Sequence, residues 1–103
     1  MLTRKELNTE QARHIMEHGD VADSVKQDDQ CVAVVLSQGW CPQSVSMNVW
    51  LNSMIKKGEP SDFNLTVYEL NYDQLEFFDE FRTFKERHFN NYEIPYIRYY
   101  KNG

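Results

Sequence analysis

Cysteine is scarce: only two occur, Cys31 and Cys41. If residues 31–37 are extended, a rise of ~3.3 Å per residue holds the pair far beyond disulfide reach. A disulfide scaffold is excluded, and the chain reads as a reduced, cytoplasmic protein. Basic residues are also few, 11 Lys and Arg against 16 Asp and Glu, for a net charge of −5. They are scattered, with no run longer than Lys56-Lys57, which excludes a nonspecific binder of nucleic-acid backbones. No apolar stretch approaches the ~20 residues needed to span a bilayer. The segment Met1-Leu2-Thr3-Arg4-Lys5-Glu6 lacks the apolar core of a signal peptide. Internal repeats and low-complexity segments are absent too. What is present is 41% hydrophobic and 14% aromatic residues in a chain of 103. That composition excludes disorder and fits one domain, residues 1–103, with a modest core.

The pattern along the chain alternates helix and strand. Residues 4–27 read as an uneven helical region. Asn8 caps it with Gln11 three positions on, and Ala12, Ile15, Met16, Ala22 and Val25 form one buried stripe. Gly19-Asp20 breaks this region, with Asp20 capping a second short piece. After the polar turn Asp28-Asp29-Gln30, residues 31–36 form an apolar strand without polar alternation, which implies burial on both faces. A helix follows, on which Met47, Trp50, Leu51, Met54 and Ile55 share a face widened by Val45 and Val49. Lys56 and Lys57 occupy its last turn, and Gly58 suits its left-handed end. Residues 65–70 read as a second strand. Asp73 with Glu76 marks the start of a third helix, whose Phe77, Phe78, Phe81 and Phe84 face is core. Residues 96–100 form a third strand, giving the order α, β, α, β, α, β and an α/β fold.

The candidate for chemistry is Trp40-Cys41-Pro42-Gln43-Ser44, between the first strand and the second helix. Pro42 suits the first turn of a helix. A cysteine just before that turn meets free backbone N–H groups and the positive end of the helix dipole, which favour thiolate, the reactive form. Ser44, one turn on, is placed to donate a hydrogen bond to that thiolate. Cys31, inside the apolar strand, is expected in the core. His14 and His18 have the four-residue spacing of two metal ligands, but no further ligand accompanies them and no metal site is expected. Tyr92, Tyr96, Tyr99 and Tyr100 divide between core and an exposed rim in a way the pattern leaves open.

Three blocks of the chain resemble the thioredoxin family: Trp40-Cys41-Pro42-Gln43-Ser44, then Leu65 to Gln74, then Ile94-Pro95 with the apolar strand and Lys101-Asn102-Gly103. The resemblance covers roughly residues 20–103. It implies a thioredoxin-like three-layer sandwich in a reduced or truncated version, with three strands: a parallel pair and an antiparallel strand after a cis-proline. It places Cys41 at the nucleophile position, Trp40 beside the substrate groove and Pro95 at the cis-proline. The substrate-binding set is Trp40, Pro42, Ile94 and Pro95, and the catalytic set is Cys41 with Ser44.

Departures from the family pattern narrow the chemistry. Ser44 stands where the resolving cysteine belongs, and Val35 aligns with a buried acidic residue. The family's first strand has no counterpart before residue 31. The chain stops at a turn, so either the last hairpin strand is absent or the sequence is a piece of a longer protein. Two readings follow. The first is a monothiol thiol-disulfide oxidoreductase in which an external thiol resolves the mixed disulfide. It needs no cofactor, takes protein thiols or disulfides as partners, and has glutathione as a co-substrate. The second is a redox-inactive module that holds a partner peptide in the Trp40/Cys41/Pro95 groove. A glutaredoxin-like glutathione or iron–sulfur carrier ranks last, because no Gly-Gly turn follows the last strand. Neither nucleic acid nor membrane is expected as a partner, and the open strand edge at 96–100 invites self-association.

Overall fold

The computed structural model describes residues 2–38, 42–90 and 96–101. Its centre is a four-stranded mixed sheet of β1 (Leu2–Glu6), β2 (Cys31–Ser37), β3 (Leu65–Asn71) and β4 (Tyr96–Lys101), in the order β1-β3-β2-β4. β1 and β2 both pair parallel with β3, and β4 runs antiparallel to β2. The helices are α1 (Thr9–His18), α2 (Asp23–Lys26), α3 (Pro42–Lys57) and α4 (Phe78–His88).

Four strands replace the expected three. The extra one is β1, where the sequence pattern reads as the start of a helical region. Its sequence Leu-Thr-Arg-Lys-Glu carries little apolar signal, because it is an edge strand whose charged side chains face water or a neighbouring strand. Backbone pairing to β3 and burial of Leu2 hold it extended, so tertiary pairing overrides local propensity. The helix begins only after Asn8. There the expected capping box is complete: the Asn8 side chain accepts from the Gln11 N–H and the Gln11 side chain from the Asn8 N–H, both at 2.8 Å.

β2 is buried along Val32–Ser37, as its unbroken apolar run implies. Period-two alternation then builds a core on each face of the sheet. Val32, Val34, Leu36, Tyr68 and Leu70 meet Ala12 and Ile15 of α1, Val25 of α2 and Phe81 of α4. On the opposite face Ala33, Val35, Val67 and Leu2 meet Leu51 of α3, with Met47, Met54 and Ile97 packed against them. The second core is much the thinner, and α3 is correspondingly under-covered. Trp50, Ile55, Val45 and Val49, expected on the buried face, are exposed. The sheet accepts only the narrow stripe 47–51–54, so apolar residues outside that arc meet solvent.

Other expectations shift for local reasons. Cys31 is half-buried rather than core, because it is the first residue of its strand. Asp20 does not cap α2, whose N-cap is Ala22; instead Asp20 accepts from the Tyr100 hydroxyl and, at 2.9 Å, pairs with Lys26. Asp73 and Glu76 do not open α4. A 3₁₀ turn at Tyr72–Gln74 intervenes, and the helix starts at Phe78 without a side-chain cap. The phenylalanine face does pack inward, with Phe81 fully buried and Phe77, Phe78 and Phe84 half-buried around it. Of the tyrosines, Tyr96 and Tyr100 pack on the larger core, Tyr99 is exposed, and Tyr92 lies outside the described residues.

The turn Asp28-Asp29 fastens the start of β2 to its neighbours. Asp28 accepts from Lys5 at 2.7 Å and from the Tyr68 hydroxyl at 2.8 Å, while Asp29 accepts from Thr66 at 2.8 Å. Gly19 ends α1 with φ +78°, and a Cβ there would lie 2.7 Å from the His88 ring nitrogen that contacts its carbonyl. The left-handed backbone conformation therefore favours glycine here, while the ring of the exposed His88 can turn aside from a Cβ. No helix among the described residues is long and apolar enough to cross a membrane.

Candidate functional site

Glu6, Ser37 and Asn71 are the last residues of the three parallel strands, so all three strands end on one side of the sheet. Outside such carboxyl ends is where open α/β sheets form ligand crevices. A cleft of about 610 Å³ opens there, lined by Arg4, Glu6, Ser37, Asn48, Glu69 and Asn71 above a floor that includes Val35. This volume suits a small molecule or a few residues of peptide. β2 ends on this side of the sheet, and Trp40 and Cys41 follow it in sequence.

Arg4 and Glu69 organise the cleft. They sit on one face of the sheet because they belong to neighbouring strands in parallel register, Arg4 opposite Val67 and Glu69 opposite both Glu6 and Val35. Arg4 Nε donates to Glu69 Oε2 at 2.6 Å and Nη2 to Oε1 at 2.5 Å, a two-pronged pair. Its remaining nitrogen, Nη1, donates to Asn52 Oδ1 at 2.7 Å, which ties α3 down over β1 and β3. The hydrogen bonds that Arg4 donates to Glu69, together with the negative charge of Glu69, raise the Arg4 pKa above its ordinary value, against the opposing effect of burial. Both side chains are about one-fifth exposed, intermediate between a surface pair and a buried one. Replacing Arg4 by alanine is expected to lower stability by about 1–2 kcal/mol, since it leaves Glu69 without its fork and releases Asn52. Urea unfolding would measure this, and a loss below ~0.5 kcal/mol would mean that the pair does not clamp α3.

A second anchor lies just ahead of the motif in sequence. Gln38, the residue before Gly39-Trp40-Cys41, is buried, and its amide nitrogen donates at 3.2 Å to the hydroxyl of Tyr72, also buried. Burial pushes the Tyr72 phenol up from its usual pKa, while the hydrogen bond from Gln38 opposes that rise. The 3₁₀ turn after β3 thereby holds the segment leading into the β2–α3 loop.

Of the six site residues expected from sequence, Pro42 is the first residue of α3 and is exposed, where its missing N–H costs no helical hydrogen bond. Ser44 lies in the first turn of α3, with its side chain outside the described residues. Trp40, Cys41, Ile94 and Pro95 lie outside the described residues as well. The rings of His14 and His18 lie with centroids 4.3 Å apart and planes tilted by 35°, and among the described residues no group of three metal-ligating side chains occurs. Arg4, Asn52 and Glu69 went unrecognised in the sequence. The available signal was Glu69, a charge within an otherwise strand-like run and at the same parity as buried Val67.

The structure thus defines a small α/β domain with a mixed four-stranded sheet and a polar cleft at its parallel carboxyl ends. No protein-family model, curated protein or solved structure matches the chain.

Proposed function

We propose that this chain is a thioredoxin-like protein acting through Cys41 as a monothiol thiol-disulfide oxidoreductase. The observation that carries the reading is the junction of β2 and α3. Cys41 directly precedes Pro42, the first residue of a 16-residue helix with no acidic residue in its first turn. The positive end of such a helix favours thiolate, and no Asp or Glu occurs in the sequence between Asp29 and Glu59 to oppose it. The parallel β2–β3 pair, the antiparallel β4 and helices on both faces of the sheet support the family resemblance.

In the proposed cycle the Cys41 thiolate attacks one sulfur of a protein disulfide or a glutathione mixed disulfide. The S–S bond breaks, a thiolate leaves, and Cys41 is held in a new mixed disulfide. A second thiol from outside, glutathione for example, then attacks that bond and frees Cys41. With a glutathione mixed disulfide, one external glutathione is consumed and oxidised glutathione leaves alongside the freed protein thiol; with a protein disulfide, the substrate leaves as a mixed disulfide with the external thiol, and a second external thiol completes its reduction. With Ser44 in place of a second cysteine, the resolving thiol has to come from another molecule.

Alkylation of Cys41 followed by mass spectrometry across pH 5–10 tests the reading, with Cys31 as the internal comparison. Cys41 is expected to react with a midpoint at least one pH unit below the ordinary thiol value of ~8.5. A midpoint at the ordinary value would sink the oxidoreductase reading.

The second reading is a binding module that holds a partner peptide around Trp40, Cys41 and Pro95 without turnover. Its support is Val35, a buried aliphatic residue where the family resemblance calls for an acid. Under it, Cys41→Ser leaves partner binding intact while Trp40→Ala weakens it.

A further inference from the structure

We infer that the cleft at the carboxyl ends of the parallel strands binds a small organic amine, its protonated amino group held by Glu6 and its apolar body laid against Val45, Met47 and Leu75. The described lining runs from Arg4 to Leu75 and is drawn from the three parallel strands, the turns that follow β1 and β3, and α3. Its volume of about 610 Å³ falls within the range of small-molecule sites.

Charge selects the ligand. Arg4 is the one basic residue in the described lining, and its charge is already met by Glu69, both of whose oxygens are engaged in that fork. An anionic ligand would therefore have to compete with Glu69 for its only cation. Glu6 stands opposite Glu69 in register and on the same face, since Leu2, Arg4 and Glu6 alternate along β1 with Lys5, which pairs with Asp28. The Glu6 carboxylate is exposed, and among the described residues no hydrogen bond or ion pair takes it up. Two carboxylates against one guanidinium leave the described lining with a net negative charge. A bound ammonium neutralises it and gains a charge-assisted hydrogen bond to Glu6.

The rest of the lining sets what the amine carries. Val45 and Met47 of α3 and Leu75 after the 3₁₀ turn give the cleft an apolar side. Val45 is 56% exposed, so the body of a ligand covers apolar surface that otherwise meets water. Asn71 and Gln74, both exposed, offer uncharged amide oxygens to the remaining N–H groups of the ammonium. A wholly apolar ligand would strip water from these amides and from Glu6 without replacing it. The positive end of α3 does not reverse the preference for a cation. Its influence fades within the first turn, and Met47 and Asn48 lie beyond it.

The test titrates the isotope-labelled full chain with phenethylamine. Parallel titrations use phenethyl alcohol and phenylpropionate, which keep the apolar body and replace the cation by a neutral or an anionic group. Two-dimensional NMR should show saturable amine binding at about millimolar concentration, with shifts confined to residues 6–9, 45–48 and 71–75. The alcohol should bind about tenfold more weakly and the acid not at all. Glu6→Gln should cost the amine about tenfold in affinity, with a melting temperature within about 4 °C of the wild type, as suits an exposed site. Val45→Lys, which sets a cation at the rim and leaves Glu6 in place, should weaken the amine more than the alcohol. Equal binding of the alcohol, tighter binding of the acid, or full affinity for the amine in either variant overturns the inference. So do shifts that fail to saturate by about 10 mM amine.

Discussion

Replacing Phe81 by alanine is expected to remove about 3–5 kcal/mol of stability and leave the domain close to unfolding at 37 °C. Phe81 is fully buried, on the face of α4 that meets α1 and the sheet. Its ring lies 5.4 Å from that of Tyr72 and 6.2 Å from that of Phe84, so truncation both empties a large volume and ends two aromatic contacts. The surroundings have little freedom to collapse, because Tyr72 is tied to Gln38 and Ile15 is held by the capped helix α1. Urea titration should register the loss as a lower midpoint with an unchanged slope. The thermal midpoint should fall by roughly 12–40 °C, at about 4–8 °C per kcal/mol for a domain of this size. Phe84→Ala, at a half-buried position on the same helix, should cost about half as much. Equal losses at the two sites would contradict the packing described. Because Tyr72 also supports Gln38, the Phe81 variant should in addition alter the alkylation rate of Cys41 before global unfolding sets in.

The second large effect concerns Tyr100, which staples β4 to the segment between α1 and α2. Its hydroxyl donates to Asp20, which also pairs with Lys26, and it accepts from Arg98 Nε at 3.1 Å. Burial, then the hydrogen bond to Asp20, push the phenol up to about 12, with Arg98 pulling the other way. The unfolded phenol ionises near 10, so above that pH the unfolded chain gives up a proton that the folded chain retains. The stabilisation is therefore complete below pH 10 and is lost as pH rises toward 12, about 1–2 kcal/mol after allowing for partial exposure. Asp20 gives the opposite limb. Burial raises its pKa, but the hydrogen bonds from Tyr100, Lys26 and the Val21 N–H together bring it below the usual carboxylate value. That contribution is present above about pH 4 and is lost as pH falls through the lowered pKa. Tyr100→Phe should cost about 1–2 kcal/mol at pH 7 and flatten the stability profile both above pH 10 and below pH 4. Urea unfolding at a series of pH values checks it, and a variant that kept the wild-type alkaline slope would assign that slope to another group.

The proposed thiol motif and the clamp of the cleft were unequally legible in the sequence. Cys41, Pro42 and the helix they open stand out through position alone, since a short apolar run followed by proline and a 3.6-residue period marks a strand-to-helix junction. The Arg4–Glu69–Asn52 clamp involves residues far apart in sequence, each ordinary where it stands. Only the parallel register of β1 and β3 brings Arg4 and Glu69 within hydrogen-bond distance. The same holds for Tyr100 and Asp20, where a residue that locally suits a helix cap is instead taken by a tyrosine from the last strand.

Local pattern sufficed for the elements whose own residues carry the driving force. β2 is a strand because its unbroken β-branched and apolar run can be buried on both faces, and α1 starts at Asn8 because its cap bonds lie within four residues. Those interactions are short-range in sequence and readable from it. Tertiary structure alone decided that residues 2–6 become a strand, that Trp50 and Val49 stay outside the core, and that the cleft is lined by an ion pair across two strands. In each case the deciding free energy is a contact between distant segments: backbone pairing to β3, the width of sheet available under α3, and a guanidinium meeting a carboxylate. None of these exists until the chain has folded.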